Sequence, residues 1–420
     1  MIDEPRMPAG FACGGVACGI KLSGRPDLAA FVVSGRNPAA AAATFTANRM
    51  AAAPVHLSRE HLAATGSDGG ASGYARGVLV TSGCANAATG SAGDADQAEV
   101  ARLAASAFGC EPAHVLVAST GLIGTRLPLD RVSAGLDALV PDALSERDDG
   151  LAAAAEAIQT TDSRLKTASA TIQLASPDGS SHAVTVSGVV KGVGMIHPQM
   201  ATMIAVVLTD AAAAPATLSG LLREAVGATF DQLTVDGDTS TNDTVFLVAS
   251  GAAGTTEVEP GTPAAASLGA ALTAVCRSLA RQQAADGEGA TSLITCRVVG
   301  GADLADARAV ARTVVASSLV KTAVHGRDPN WGRVAAAAGA ARRRDGEPVS
   351  LGPETLRISL CGIDVYGAEP LDFDAAAVSR AMEAPEVVIE LDLGRGSAAA
   401  EAWGCDLSEE YVRENSEYST

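Results

Sequence analysis

Aromatic side chains are scarce: phenylalanine, tryptophan and tyrosine make up 3% of the 420 residues, although 47% of the chain is hydrophobic. A core without large aromatic anchors has to be filled by closely packed Ala, Val and Leu, and the 44 glycines point the same way. Positive charge is also in short supply, with 30 Lys and Arg against 48 Asp and Glu and a formal charge of -18. That balance opposes nonspecific nucleic-acid binding through phosphate neutralisation. No stretch of roughly 18 apolar residues is free of a charge or a turn signal, so no membrane span is expected. The eight cysteines (Cys13, Cys18, Cys84, Cys110, Cys276, Cys296, Cys361 and Cys405) contain no CxxC pair, which suits thiols in a reducing compartment rather than zinc. Met1–Arg6 carries acid early and has no apolar signal region, so a cytoplasmic protein is expected. Phosphate-loop, HExxH and GxSxG motifs are missing, and the six histidines match no metal set or triad by spacing.

What is present is an irregular alternation of strands and helices, enough for two or three packed units. Phe31–Val33, Ala41–Phe45, Val78–Gly83 and Val115–Ala118 read as strands, the last ending at Ser119-Thr120-Gly121. Asp94–Gln97 resembles a helix cap ahead of an apolar stripe at Val100, Leu103, Ala104 and Ala107. Ala168–Leu174 and Ala183–Val190 read as strands joined at Pro177-Asp178-Gly179, and Thr202–Leu208 as an apolar strand. A helix around Ser219–Phe230 precedes the polar loop Asp236–Asp243. Beyond it the pattern predicts strands at Thr244–Ala249, Ser292–Val299, Thr355–Leu360, Ile363–Tyr366 and Val387–Leu393. Helices are predicted over Pro263–Ala284, Asp303–Ser317 and Asp374–Ala384. The absence of a strict strand–helix beat predicts an α+β sandwich rather than a barrel.

Chemistry concentrates in Lys191-Gly-Val-Gly-Met-Ile-His-Pro-Gln-Met-Ala-Thr-Met203. Two glycines and a proline allow a tight path that delivers Thr202 at the start of a strand. A threonine held there can attack the preceding carbonyl, and hydrolysis of the ester would free its α-amine. With a reference pKa of about 7.7–8.0, that amine can serve as base to its own hydroxyl. From spacing alone, the ordinary reading is a threonine that merely begins a buried strand. Read alone, Lys191 and Glu288 are ordinary surface charges, and Thr120-Gly121 is ordinary turn chemistry.

Many ordered segments together resemble the bifunctional glutamate and ornithine N-acetyltransferase family of the cyclic arginine pathway. They are Phe45–Arg49, Ala52–Val55, Asn86–Gly90, Thr120-Gly121, Thr160–Asp162, Lys191-Gly192, Met200-Ala-Thr-Met203, Asp236–Thr244, Gly287–Thr291, Val320–Ala323, Gly326–Arg333 and Asn415–Thr420. The resemblance implies a layered α+β fold, similar in layout to N-terminal-nucleophile hydrolases, and self-cleavage between Ala201 and Thr202. The products would be residues 1–201 and 202–420, which stay associated, with at least two such heterodimers in the assembly. It implies that Thr202 is the nucleophile, that Thr120 and Gly121 stabilise the oxyanion, and that Thr161, Lys191, Thr202, Glu288, Asn415 and Thr420 bind substrate. Lys191 would pair with an α-carboxylate and Glu288 with the side-chain ammonium of ornithine.

The expected reaction is ping-pong transfer of acetyl from N2-acetyl-ornithine through Thr202 to glutamate, with no cofactor or metal and with acetyl-CoA as an alternative donor. The chain departs from the family pattern at Cys84, Ala88, the segment Asp162–Lys166, Gln199, Ser292 and Glu414. These departures keep open a second expectation, a self-processing acyltransferase or amidase acting on another N-acyl amino acid. A third, a non-enzymatic binding protein of the same fold, would be indifferent to loss of Thr202.

Overall fold

Along the central strands, alternate residues enter two different cores, which is why those segments read as unbroken apolar runs. The computed structural model describes residues 2–4, 6–67, 69–197 and 203–417. Its first half lays down β1 (Ile2–Asp3), β2 (Phe11–Val16), β3 (Leu28–Val33), β4 (Ala39–Phe45), α1 (Ala53–Thr65), β5 (Ser72–Ala75), β6 (Gly77–Cys84), α2 (Gly90–Phe108), β7 (Val115–Leu122), α3 (Leu129–Leu139), α4 (Asp148–Ile158), β8 (Lys166–Ala175) and β9 (Ser181–Lys191). The second half adds β10 (Ile204–Thr209), α5 (Pro215–Ala228), β11 (Thr244–Ala249), α6 (Pro263–Ala285), β12 (Leu293–Gly301), α7 (Leu304–Ala316), α8 (Ser318–His325), α9 (Trp331–Gly339), β13 (Arg357–Leu360), β14 (Ile363–Gly367), α10 (Ala375–Ala381), β15 (Glu386–Asp392), β16 (Ala398–Cys405) and α11 (Glu409–Glu417).

Three sheets result, in the orders β1-β8-β9-β10-β11-β4-β5, β2-β3-β6-β7 and β14-β13-β15-β12-β16. In β10, Ile204, Val206 and Leu208 meet the four-stranded sheet, while Ala205 and Val207 face α5 and α6. β11 repeats this with Phe246 and Val248 on one side and Val245 and Leu247 on the other. The outer face of the four-stranded sheet, including Leu79, Val115 and Val117, is covered by α2 and α3. The stack is therefore helix, sheet, sheet, helix, with the five-stranded sheet packing on α7 to α9 as a further unit. This is the α+β layered class expected from the sequence.

Small residues set the spacing. The alanine tract of β4 forms a strand despite alanine's helix preference, because its residues pair with β11 and β5 between two buried layers. Helix α4 approaches β2 so closely that a Cβ at Gly15 would meet the Ala153 carbonyl oxygen at 2.3 Å. Helix α6 is long and apolar enough to cross a membrane by length and composition. Here Leu268, Leu272, Val275 and Leu279 spend that apolar face on the sheet, and Thr262 caps its start through Ala265 N–H at 3.2 Å.

Several expectations need correction. α2 begins at Gly90, a turn before the anticipated cap, and Asp96 is buried in an ion pair with Arg126 at 2.5 Å. The helix placed at Ser219–Phe230 starts earlier, at Pro215, where proline suits a first turn. Ser119–Gly121 belongs to β7 itself rather than to a turn after it. Helices α1, α3, α8, α9 and α11 and strands β1, β2, β5 and β16 were not anticipated.

Phe246 is fully buried and meets the Phe45 ring edge-on at 6.3 Å, in a core with few aromatics. Phe246→Ala is expected to cost about 3–5 kcal/mol of stability, measured by urea denaturation. A loss below about 1 kcal/mol would contradict its place at the centre of the stack.

Candidate active site

Strands β6 and β7 run parallel until a bulge at Cys84 shifts their register. At that point Gly121 has φ +124°, and a Cβ there would meet the Gly83 carbonyl carbon at 2.4 Å, so only glycine fits. Thr120 is buried beside it. The Asn242 amide, from the loop before β11, donates to Ala85 O at 2.7 Å and Ser119 O at 2.8 Å, tying the two halves of the chain together at this strand end.

Lys191, at the end of β9, is buried and donates from Nζ to Thr120 Oγ1 at 3.2 Å. Burial pulls its pKa below the ordinary lysine value, with Asp162 and Glu288 acting in the opposite direction. Asp162 accepts from Gly192 N–H at 2.8 Å, Thr160 N–H at 2.9 Å and Lys166 Nζ at 2.7 Å. Burial alone would raise the Asp162 carboxyl, but Lys191 and Lys166 outweigh it and hold the group below the usual carboxylate range. Lys166 is wholly buried and also pairs with Asp286.

Glu288 sits in the loop after α6. Its carboxylate accepts from Thr161 Oγ1 at 3.2 Å and Asn415 Nδ2 at 2.9 Å, and its own N–H donates to Val193 O at 2.9 Å. The carboxylate lies over Gly194, where a Cβ would come within 2.3 Å of Oε2. Asp406 anchors the far side of that loop by accepting from Thr291 N–H at 2.7 Å and Ser292 N–H at 2.9 Å, with His325 Nδ1 at 2.8 Å. His325 is thus engaged structurally.

Thr120, Gly121, Thr161, Lys191, Glu288 and Asn415 all line one cavity. Ala201, Thr202 and Thr420 lie outside the described residues. Both flanks of the Ala201–Thr202 junction are held by one loop. Asp236 accepts from Met195 N–H at 2.5 Å and Ile196 N–H at 2.8 Å, and Asp243 accepts from Met203 N–H at 2.8 Å. Val193, Gly194 and Met195, on the N-terminal flank, form part of the cavity wall.

The profile of the ArgJ family matches residues 12–420. The chain belongs to the ArgJ family. It is 46% identical to the arginine biosynthesis bifunctional protein ArgJ of Deinococcus radiodurans, over 100% of this chain and 99% of that protein. It is 45% identical to the protein of the same name from Symbiobacterium thermophilum, with 98% of each chain covered. Among solved structures, the ornithine acetyltransferase of Mycobacterium tuberculosis in complex with ornithine is 37% identical, with a TM-score of 0.40, over 47% of this chain and 97% of that one.

The departures from the family's sequence pattern fall at different distances from the cavity. Cys84 Sγ donates to Thr125 O at 3.2 Å and supports a neighbouring loop, and Ala88 is exposed with φ +55°. Ser292 contributes its N–H to Asp406. Gln199 lies outside the described residues. Burial, then Glu288 and Glu410, push the Glu414 carboxyl up. Cys276 is fully buried, which pushes its thiol up to about 12, and burial raises Cys13 and Cys296 as well, so these thiols make poor nucleophiles.

Asp162, Asp236, Asn242 and Asp243 were missing from the expected site residues. All but Asn242 are acids whose partners are backbone amides or a buried lysine, contacts that no spacing rule exposes. Lys166→Ala leaves Asp162 and Asp286 facing each other without their shared cation, and it is expected to cost about 3–5 kcal/mol by thermal or chemical melting. A variant as stable as the wild type would show that the carboxylates are solvated. Asp243, wholly buried, has its carboxyl raised well above the ordinary value by burial, against the opposing effects of Met203 N–H and Lys191. Unfolding frees it to ionise near its reference value of about 3.9, so this group makes stability fall as pH climbs from acid towards neutral. Asp243→Asn keeps an acceptor for Met203 N–H and removes that term. The variant's melting temperature should therefore gain on the wild type between pH 4 and pH 7, and a constant difference would contradict the assignment.

Proposed function

We propose that the protein transfers acetyl from N2-acetyl-L-ornithine to L-glutamate by a ping-pong mechanism, after cutting itself between Ala201 and Thr202. The observation that carries this reading is the convergence of Thr120, Gly121, Lys191, Glu288, Thr161 and Asn415 on one cavity walled by residues 193–195, in a chain of the ArgJ family. Thr202 attacks the acetyl carbonyl, its freed α-amine taking the proton. The Thr120 hydroxyl and Gly121 N–H receive the negative charge that develops on oxygen. Ornithine departs and the α-amine of glutamate takes the acetyl group from Thr202. Glu288 suits the ammonium of an ornithine side chain, and a covalent route of this kind calls for no cofactor or metal. Acetyl-CoA is the alternative donor.

The strand order supports the association of the two pieces. β9 pairs with β10 across the junction, and β4 of the first piece pairs with β11 of the second. A cut at 201/202 leaves fragments interleaved within one sheet, which cannot part without breaking its centre. We place the enzyme in the cytoplasm as a dimer of such heterodimers. Its eight cysteines are all free, as a reducing compartment would keep them.

A second reading, transfer from another N-acyl amino acid, is favoured by Glu414. Its closeness to Glu288 adds a second carboxylate that suits a longer or more strongly basic side chain. Steady-state rates across a panel of N-acetyl amino acids separate the two. N2-acetyl-ornithine as best donor, with parallel double-reciprocal lines against glutamate, is the expected result, and a different best donor supports the second reading. Thr202→Ala should remain a single uncut chain without transferase activity. An uncut but fully active variant would overturn both.

A further inference from the structure

A lysine ammonium has three hydrogens to donate and no lone pair to accept with. In the 3.2 Å contact between Lys191 Nζ and Thr120 Oγ1, the threonine oxygen is therefore the acceptor. Its own hydrogen has to point elsewhere, and among the described residues Thr120 Oγ1 makes no other hydrogen bond. Thr120 lies on the cavity wall, so the remaining direction is into the cavity. We propose that Lys191 is a positioning residue for the oxyanion site: it fixes the Thr120 hydroxyl as a donor towards the acyl oxygen and polarises that O–H bond. This rests on the acyl-transfer reading above and deepens it, since the shell expected from the sequence gave Lys191 only a substrate carboxylate to bind.

Three observations support the assignment. Lys191 is buried, and Gln283 Nε2 holds its backbone by donating to Lys191 O at 3.1 Å, so the ammonium is delivered to a fixed place. Asp162 is the acid that opposes the effect of burial most strongly, and it is itself locked by Gly192 N–H, Thr160 N–H and Lys166. Thr120 and Lys191 come from the ends of strands in different sheets, so the contact joins the two sheets at the cavity. A hydroxyl left to rotate would spend part of its time donating to solvent or backbone. One with a cation behind it is aimed before substrate arrives, and preorganisation of this kind acts on the transition state rather than on binding.

The test is a double-mutant cycle on acetyl transfer by the full chain, with constants expressed per mole of cleaved enzyme counted by intact mass. Thr120→Ala should lower kcat by about 10²–10³-fold. Lys191→Met should lower kcat by at least about tenfold with donor KM changed less than about threefold, the pattern of an interaction made only in the transition state. In the Thr120→Ala background, Lys191→Met should cost less than about threefold more, because the group it acts through is gone. Losses that multiply, or a raised KM at unchanged kcat, would overturn the proposal and return Lys191 to direct carboxylate binding, leaving the acyl-transfer reading intact. Thr120→Ala with wild-type kcat would overturn the oxyanion assignment itself. Lys191→Gln is run in parallel with melting curves, so that a folding failure of the methionine variant leaves a readable cycle.

Discussion

Asp162 couples two buried lysines, as the ion-pair partner of Lys166 and the acid that most strongly opposes the effect of burial on Lys191. Lys191 and Lys166 are both taken out of water, where an unpaired ammonium would shed its proton or force the structure open. One carboxylate, itself held by two backbone amides, pairs with Lys166 and opposes the effect of burial on Lys191, and Asp286 shares Lys166 from the other side. The arrangement links the turn before β8, the end of β9 and the turn after α6, which carry Thr161, Lys191 and Glu288. A cation can thus be maintained against the end of β7, where it meets Thr120.

A second constraint acts on the chain either side of residues 201 and 202. Asp236 holds backbone amides before the junction and Asp243 holds one after it, both from the single loop that enters β11. The same loop sends Asn242 to the carbonyls of Ala85 and Ser119. The chain on both sides of the junction, the end of β7 and the turn after β6 therefore share one polar scaffold. The interleaved strands around it put that scaffold in the middle of a sheet whose faces are both covered, and rigid elements of this kind hold a site more closely than loops alone.

The layered α+β class was legible in the sequence because fully covered strands leave unbroken apolar runs, as at 204–209 and 244–249. Thr120, Gly121, Thr161, Lys191, Glu288 and Asn415 were reached through motif resemblance, since their types and spacings alone are those of ordinary turn and surface residues. The helix starting at Gly90 was misplaced because Asp94–Gln97 looks like a cap, whereas Asp96 is a buried partner of Arg126. Helix α1 was missed because its proline at the first turn reads as a breaker out of context. Asp162, Asp236 and Asp243 stayed hidden for a different reason. Sequence shows an acid, but only the fold shows that it faces amides or a lysine in the interior.

The central claim is that Thr202, freed by cleavage, carries the acetyl group. Intact-mass measurement of the purified protein after brief incubation with N2-acetyl-ornithine, without glutamate, tests it most directly. The account predicts two fragments split at Ala201/Thr202 and a gain of one acetyl on the fragment that begins at Thr202, discharged when glutamate is added. A single uncut chain that transfers acetyl, or an acetyl carried elsewhere, would contradict it.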